Sequence, residues 1–578
     1  MRKFLVLPLT IALLVSITAL AGAAADTGLV TTGSPPSPFS ENKQNEPAVA
    51  IDANHTNVLA AGSNENIDME ACNSGDDRTC PFTNGVGVSG VYFSFDSGKS
   101  WTQPTYTGWS ARNCQGTVGP DAGCQPLAGG LIGTLPWYYE NGLVSDGDPA
   151  VAFGPTPGAN GTFSWSNGSR LYYANLTSNF GATRSEEAFK GFEAIAVSRT
   201  DNVAAAAANN KSAWLPPVIV AKQSSTTFSD KEQVWADNAS SSRFFGNVYV
   251  CWAAFRGQEK SSNAAPAPLQ VAVSRDGGDT WSTQQIGAAA NNRNRNPMDG
   301  CTIRTDSGGN AYLYGIGRQG TDAFEIQSIS TDGGTSWSKP QPVVGPVTQP
   351  GIDDPNTGRP SIDGLAGARS DLAPAPSVDI ANGAPSGADA TNRIVMSYVS
   401  GEITKPHVYF AESTDRGATW SAPRSIEGAT DRGYYAAPAI SPDGKNVYVV
   451  YNAFTTAYQP TTATPRSLVG VFMKASAIGT APTGTFAELH RSTSGDPRAS
   501  SQNNLVAEFL GDYVYAAATR TYGVGVWNDT QAAADCPAID AWRQDIATGG
   551  TTVPRPAPQQ NCPATFGNSD IFSYTTAP

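Results

Sequence analysis

Short runs of alternating or wholly apolar residues, rich in Val, Tyr and Ala, succeed one another along the chain, divided by Gly, Asp, Asn and Pro. Runs of this length bounded by turn residues predict β-strands and tight turns, and helical periodicity is nearly absent. The runs also repeat. A first strand of the type Pro-Ala-Val-Ala stands at Glu46 to Asp52, Asp148 to Gly154 and Ala437 to Asp443, with looser copies at Glu232 to Asp237, Asp299 to Thr305 and Ala375 to Asp379. A second strand follows, as in 57–63, 247–255, 310–317, 393–401 and 446–454, and then a third, as in 91–96, 269–276 and 407–415. Units begin near Glu46, Asp148, Glu232, Asp299, Asp371, Tyr434 and Asp512, which favours seven repeats. The irregular second (146–214) and last (508–578) units leave six open.

The third strand ends four times in S-x-D-x-G-x-[ST]-W. The copies are Ser94, Asp96, Gly98 and Trp101; Ser274, Asp276, Gly278 and Trp281; Ser330, Asp332, Gly334 and Trp337; and Ser413, Asp415, Gly417 and Trp420. A degenerate copy at Ser198 lacks the glycine and tryptophan. The pattern suits a hairpin turn: the glycine takes positive φ at low cost, the aspartate accepts from turn amides and hydroxyls, and the tryptophan offers each small sheet an apolar plug. This is the Asp-box, and from about residue 40 to the end the chain resembles the Asp-box (BNR-repeat) β-propeller family, including sialidase-like secreted proteins. The resemblance implies an all-β fold, a single β-propeller of four-stranded blades. It puts the boxes on hairpins opposite the active face, where they are structural. Sialidases have six blades, against the seven favoured here.

Composition narrows the functional classes. Charged residues are 15% and hydrophobic residues 40% of the 578, so the chain folds, and 59 Gly with 41 Pro imply many turns. Met1-Arg2-Lys3, an apolar run to Ala21 and small residues to Ala25 read as a secretory signal peptide over 1–25. A flexible N-terminal segment is expected over 26–44 and the propeller over 45–578. Loss of Arg2 and Lys3 takes the formal charge from −13 to −15, which argues against nucleic acid as a partner. The 3 histidines lie far apart, which excludes an HExxH zinc site. No later apolar run reaches the roughly 18 residues of a membrane span. The expectation is a secreted, monomeric protein.

Export permits disulfides, and the 8 cysteines pair locally as Cys72–Cys80, Cys114–Cys124 and Cys536–Cys562, leaving Cys251–Cys301 by elimination. Long insertions at 64–90, 102–145, 338–370 and 529–567 fall where propeller loops converge on one face. A sialidase-type site needs three arginines on the substrate carboxylate, the first in an [FY]-R-I-P segment, with a Tyr–Glu nucleophile pair and an Asp acid/base. The matching segments here are Asn45-Glu46-Pro47 and Gly147-Asp148-Pro149, so an acid stands where the arginine should be. That repels a carboxylate substrate.

Arg293, Arg295, Arg359, Arg369 and Arg432 are candidates for a substitute clamp, and Tyr434 and Tyr435 for stacking on sugar rings. Glu46, Asp148, Glu232, Asp299 and Asp512, with Tyr513, are the catalytic candidates, since acids at first-strand starts ring one mouth of the channel. Such a ring suits glycoside hydrolysis by paired carboxylates, a hard cation such as Ca²⁺, or simple capping of strand amides. No cofactor is required, and the metal question stays open. No GxSxG elbow, P-loop or GxGxxG after a strand is present. Two readings remain: a glycoside hydrolase directed to an extracellular glycan or polysaccharide, without the sialidase arginine motif, or a non-catalytic propeller binding glycans or proteins.

Overall fold

The computed structural model describes residues 27–31, 35–69, 85–114, 125–180, 187–221, 223–256, 266–287 and 299–578. The turn-bounded apolar runs form seven antiparallel sheets set as blades around a central channel. The innermost strands, in blade order, are Gln44–Ile51, Ala150–Pro157, Thr227–Ala236, Asp299–Thr305, Ser377–Ile380, Arg432–Ile440 and Tyr515–Ala518. Each packs against the innermost strand of the next blade, and the last returns to the first. Blade 1 carries three strands, and a bridge between Phe93 and Thr102 stands in place of a fourth.

The predicted leader lies outside the described residues. The segment read as a flexible lead-in supplies structure: Thr27–Leu29 pairs antiparallel with Asp570–Thr575 and becomes the outermost strand of blade 7. Early and late chain segments thus share one sheet, and the outer edge of Asp570–Thr575 is covered.

The core lies between blades. One cluster joins Ala152, Tyr172 and Val197 of blade 2 to Val234 and Val250 of blade 3, and another joins Tyr312 of blade 4 to Met396 of blade 5. Both faces of the central strands are therefore buried, one against each neighbouring blade, as along Ser89–Ser94 and Asn446–Phe454, which is why many runs read as continuously apolar.

The four S-x-D-x-G-x-[ST]-W segments adopt one geometry. Ser94 Oγ donates to Asp96 Oδ1 at 2.8 Å and accepts from the Gly98 amide at 2.9 Å; Ser100 donates to Asp96 through its amide at 2.9 Å and its hydroxyl at 2.5 Å. The same bonds recur around Asp276, Asp332 and Asp415, and Gly98, Gly278, Gly334 and Gly417 all sit at φ of 79–91°. The tryptophans depart from the plug expectation. Trp101 is buried and donates to Ser573 Oγ, whereas Trp281, Trp337 and Trp420 are half-buried at the seams with the preceding blades.

The insertion at 529–567 holds a helix, Pro537–Ala547, that the sequence pattern did not show. With Phe39, Leu505 and Phe566 it forms a small core of its own, closed by the Cys536–Cys562 disulfide. Cys251–Cys301 joins the second strand of blade 3 to the first of blade 4. Cys114 is buried and disulfide-bonded; Cys72, Cys80 and Cys124 lie outside the described residues. Among the described residues, no helix is long and apolar enough to cross a membrane.

Candidate functional site

The innermost strands of blades 1, 3 and 4 are bulged near their first residues. At these bulges Glu46 has φ 57°, Lys231 φ 62° and Gly300 φ 52°, and Asp148, just ahead of the first strand of blade 2, has φ 51°. Gly300 shows what the backbone alone asks for. A side chain in this left-handed region costs about 1 kcal/mol or more. Three blades nevertheless place an ionisable residue there, and a bulge re-aims such a side chain away from its strand's normal direction.

The re-aimed side chains meet at the mouth of the channel. Lys231 Nζ lies 2.7 Å from Asp512 Oδ2, 3.0 Å from Asp148 Oδ2 and 3.3 Å from Asp230 Oδ1. Arg369 grips Asp512 with both arms of its guanidinium, Nε to Oδ1 at 2.8 Å and Nη2 to Oδ2 at 2.5 Å, and Nη2 also reaches Glu46 Oε1 at 3.5 Å. Tyr435 donates to Asp512 Oδ1 at 3.2 Å. Asn64 spans blades 1 and 2, donating to Glu46 Oε2 at 2.9 Å and accepting from the Asp148 amide at 2.8 Å.

Charge is divided unequally among the acids. Burial disfavours the ionised form of Asp512, yet Arg369 and Lys231 overcome it and hold the carboxyl below the usual range. Burial likewise opposes ionisation of Asp148, but Lys231 and carboxyl hydrogen bonds from Glu46 and Asp230 keep it below its ordinary value. Burial, then the Asp148 charge, pushes Glu46 well above its ordinary value. Asp230 is pushed up to about 7 by burial and by Asp148, against the pull of Lys231. Asp148 is thus held down between two carboxyls that are pushed up, with Lys231 and Arg369 supplying the positive charge.

Access is graded. The Glu46 and Asp512 side chains are fully buried, while Asp148, Asp230 and Arg369 keep 10%, 18% and 16% of their surface open at the mouth. Beneath them a cavity of about 60 Å³ is lined by Glu232, Tyr435 and Tyr513 among others. The arrangement offers a proton donor beside a carboxylate base. The point where converging carboxylates would hold a cation is taken by the Lys231 ammonium. Among the described residues there is no cluster of three or more metal-ligating side chains that could hold a metal ion.

The structure thus brings together Glu46, Asp148, Asp512 and Arg369 and rearranges the other candidates. Glu232 is buried with neither carboxyl oxygen hydrogen-bonded. Lys231, one residue earlier, takes the place in the ring that the strand alignment gave to Glu232. Asp299 accepts from the amide of Gly300, capping its own strand, and burial raises it to about 6. Tyr434 and Tyr435 are buried and donate to the Arg369 carbonyl, so neither offers a face to a sugar. Arg432 is buried and spends its Nη2 on the carbonyls of Ile362 and Ile403. Arg359 pairs with Asp371 at 2.7 Å on the rim. Tyr513 is half-buried on the cavity wall. Arg293 and Arg295 lie outside the described residues.

Lys231, Asp230 and Asn64 escaped the sequence reading. The signal was there in Asp230-Lys231-Glu232, which aligns with Asn45-Glu46-Pro47 and Gly147-Asp148-Pro149 once the bulge residue sets the register.

No protein-family model matches the chain, and no curated protein does. Solved structures similar to it include a Hadza microbial sialidase, at 13% identity, covering 71% of this chain and 63% of that one, with a TM-score of 0.39. An α-L-arabinofuranosidase from Fusarium graminearum matches at 12% identity over 74% and 92% of the two chains, with a TM-score of 0.37. The intramolecular trans-sialidase of Ruminococcus gnavus matches at 12% identity over 74% and 94%, with a TM-score of 0.38. This chain spans just under two thirds of the length of the first of these. Likeness at this level leaves the substrates of those proteins as their own.

Proposed function

We propose that this is a secreted Asp-box propeller whose mouth hydrolyses glycosidic bonds in an extracellular glycan, without the arginine clamp of a sialidase. One observation carries the reading: three non-glycine residues, Glu46, Asp148 and Lys231, hold left-handed backbone to aim ionisable side chains at one point. Strain of this kind persists where the surroundings enforce it and concentrates at functional sites. In this reading Asp230 is the general acid, its carboxyl near 7 and so matched to proton transfer near neutrality. Asp148 is the carboxylate base or nucleophile. Lys231, Arg369 and Asp512 position it and keep it ionised, and Glu46 supplies a hydrogen bond from the buried side. Glycosidase carboxyls work about 5–5.5 Å apart in retaining enzymes and further apart in inverting ones, so substrate must part Asp148 from Asp230.

The test is turnover of a panel of aryl glycosides and polysaccharides by the secreted protein. Activity should fall as pH rises through about 7, where Asp230 loses its proton, and Asp230→Asn should remove that limb. Failure to turn over any member, or a pH profile identical in the variant, overturns the proposal.

A second reading, a glycan-binding propeller without turnover, is favoured by the cation partners of Asp148 and Asp512, which leave the free site closed. Saturable glycan binding with no product would decide for it.

A further inference from the structure

The channel holds a second, larger cavity, and it sits at the other end. Its volume is about 300 Å³, and it is lined by the later residues of the innermost strands and the hairpins that follow them. The 1–2 hairpins and the box hairpins project from the same edge of each blade, so this cavity opens on the box face, away from the acid ring. Gln233 and Tyr515 border both cavities and separate them.

Most of the lining is apolar, from side chains such as Val49, Val151, Phe153 and Ile440. Polar side chains interrupt it, among them Gln233, Asn238, Asn382 and Arg520, whose guanidinium is paired with Asp389, and one more is short of a partner. Arg304 projects from the innermost strand of blade 4 and is only 9% exposed. Its guanidinium stacks over the Trp235 ring, 4.7 Å from the centroid, and Nη1 donates to the adjoining Ile303 carbonyl at 2.8 Å. Nε has no hydrogen-bond partner. Asp379 is the neighbouring acid, but its Oδ1 stands 3.7 Å from Nε, beyond hydrogen-bond reach, and its Oδ2 accepts from the Ile440 amide at 2.9 Å. Burial raises the Asp379 carboxyl, against the pull of Arg304.

A buried guanidinium with an unmet donor is costly, and a planar carboxylate is the acceptor its fork fits best. Trp235 and Tyr515, both half-buried, flank the space beyond it and suit a flat or alicyclic apolar body.

We propose that the box-face cavity is a binding site for a small monocarboxylate, its anionic end on Arg304 and its apolar body against Trp235 and Tyr515. This site is separate from the acid ring and does not depend on the reading of that ring.

The experiment is calorimetric titration of the full secreted chain with benzoate and cyclohexanecarboxylate, with benzamide as the neutral counterpart of benzoate. At least one carboxylate should bind saturably, and benzamide should bind at least about tenfold more weakly, as loss of a charge-assisted hydrogen bond implies. Arg304→Gln should weaken the carboxylate by a similar factor. Trp235→Leu, which keeps the charge, should weaken it through lost contact with the ring. If neither carboxylate binds, if benzamide matches benzoate, or if folded Arg304→Gln retains full affinity, the proposal fails. The wild-type comparison stands even if a variant does not fold.

Discussion

Aspartates do opposite things at the two ends of these blades. On the box face Asp276 and Asp332 are satisfied by hydroxyls and amides within four residues of themselves. Hydrogen bonds from Ser336 and Ser330 hold Asp332 down at about 2, and similar bonds lower Asp276 although burial opposes them. At the mouth the acids crowd in a buried ring, and their cation partners come from far along the chain: Lys231 reaches Asp512 across 281 residues and Arg369 reaches Glu46 across 323. One residue type is ionised by its own turn at one end. At the other it is sorted into charged and proton-bearing members by a network that exists only after the ring closes. A structural aspartate is recognised by local donors, a candidate functional one by distant charges.

The contrast breaks most sharply at Lys231. Lys231→Met should cost about 3–5 kcal/mol in urea unfolding, because it leaves Asp148 and Asp512 buried without their shared cation. A loss below about 1 kcal/mol would mean the ring is hydrated rather than desolvated. Next in size, the double change Cys251→Ala with Cys301→Ala opens the link between blades 3 and 4 and should cost about 2–4 kcal/mol. Loss of activity greater than loss of stability in that variant would show that the link also holds the mouth in register.

Stability against pH separates the buried, raised acids from the box aspartates. Glu41 is raised to about 8, Glu65, Asp230, Asp237 and Asp540 to about 7, and Asp299 and Asp529 to about 6, in each case chiefly by burial. Groups with raised folded values contribute stability in full below their unfolded pKa of about 4 and lose it as pH rises through 6–8. The box aspartates act oppositely: their contribution is present above about pH 4 and is lost as pH falls toward 2. Lys43, lowered to about 7 by burial, adds stability as pH rises but is a single group. The melting temperature should therefore peak in weak acid and decline toward pH 8. A steady rise from pH 5 to 8 would contradict the sorting of charges. Smallest of all, Asp276→Ala should cost about 1 kcal/mol, since water replaces part of what an exposed turn loses.

How much of this was legible in the sequence follows the same division. The S-x-D-x-G-x-[ST]-W hairpins and the seven first strands could be read directly, because their determinants lie within a few residues of one another. Cys536 and Cys562, 26 residues apart, could be paired from a loop-like setting. The acids at the mouth were visible as a set, but Lys231 was not. The alignment of blade 3 was one residue out, and only the bulge shows which residue turns inward. Tyr434 and Tyr435 read as mouth aromatics, yet loops 338–370 and 496–512 fold over them and bury both hydroxyls on Arg369. Helix Pro537–Ala547 escaped because its apolar face, with Ile539 and Trp542, is short and set among polar residues.

The central claim is that the mouth acids perform chemistry while the box acids hold turns, and one assay compares them directly. Asp148→Asn keeps the side-chain shape, and asparagine tolerates the left-handed backbone at that position, so the blades should remain intact. Glycoside turnover by Asp148→Asn and by Asp276→Asn should be measured beside the parent at one pH. The account predicts that Asp148→Asn abolishes turnover in a folded protein and that Asp276→Asn retains it at the parental rate. Turnover that survives at Asp148→Asn, or that is lost at a folded Asp276→Asn, would contradict it.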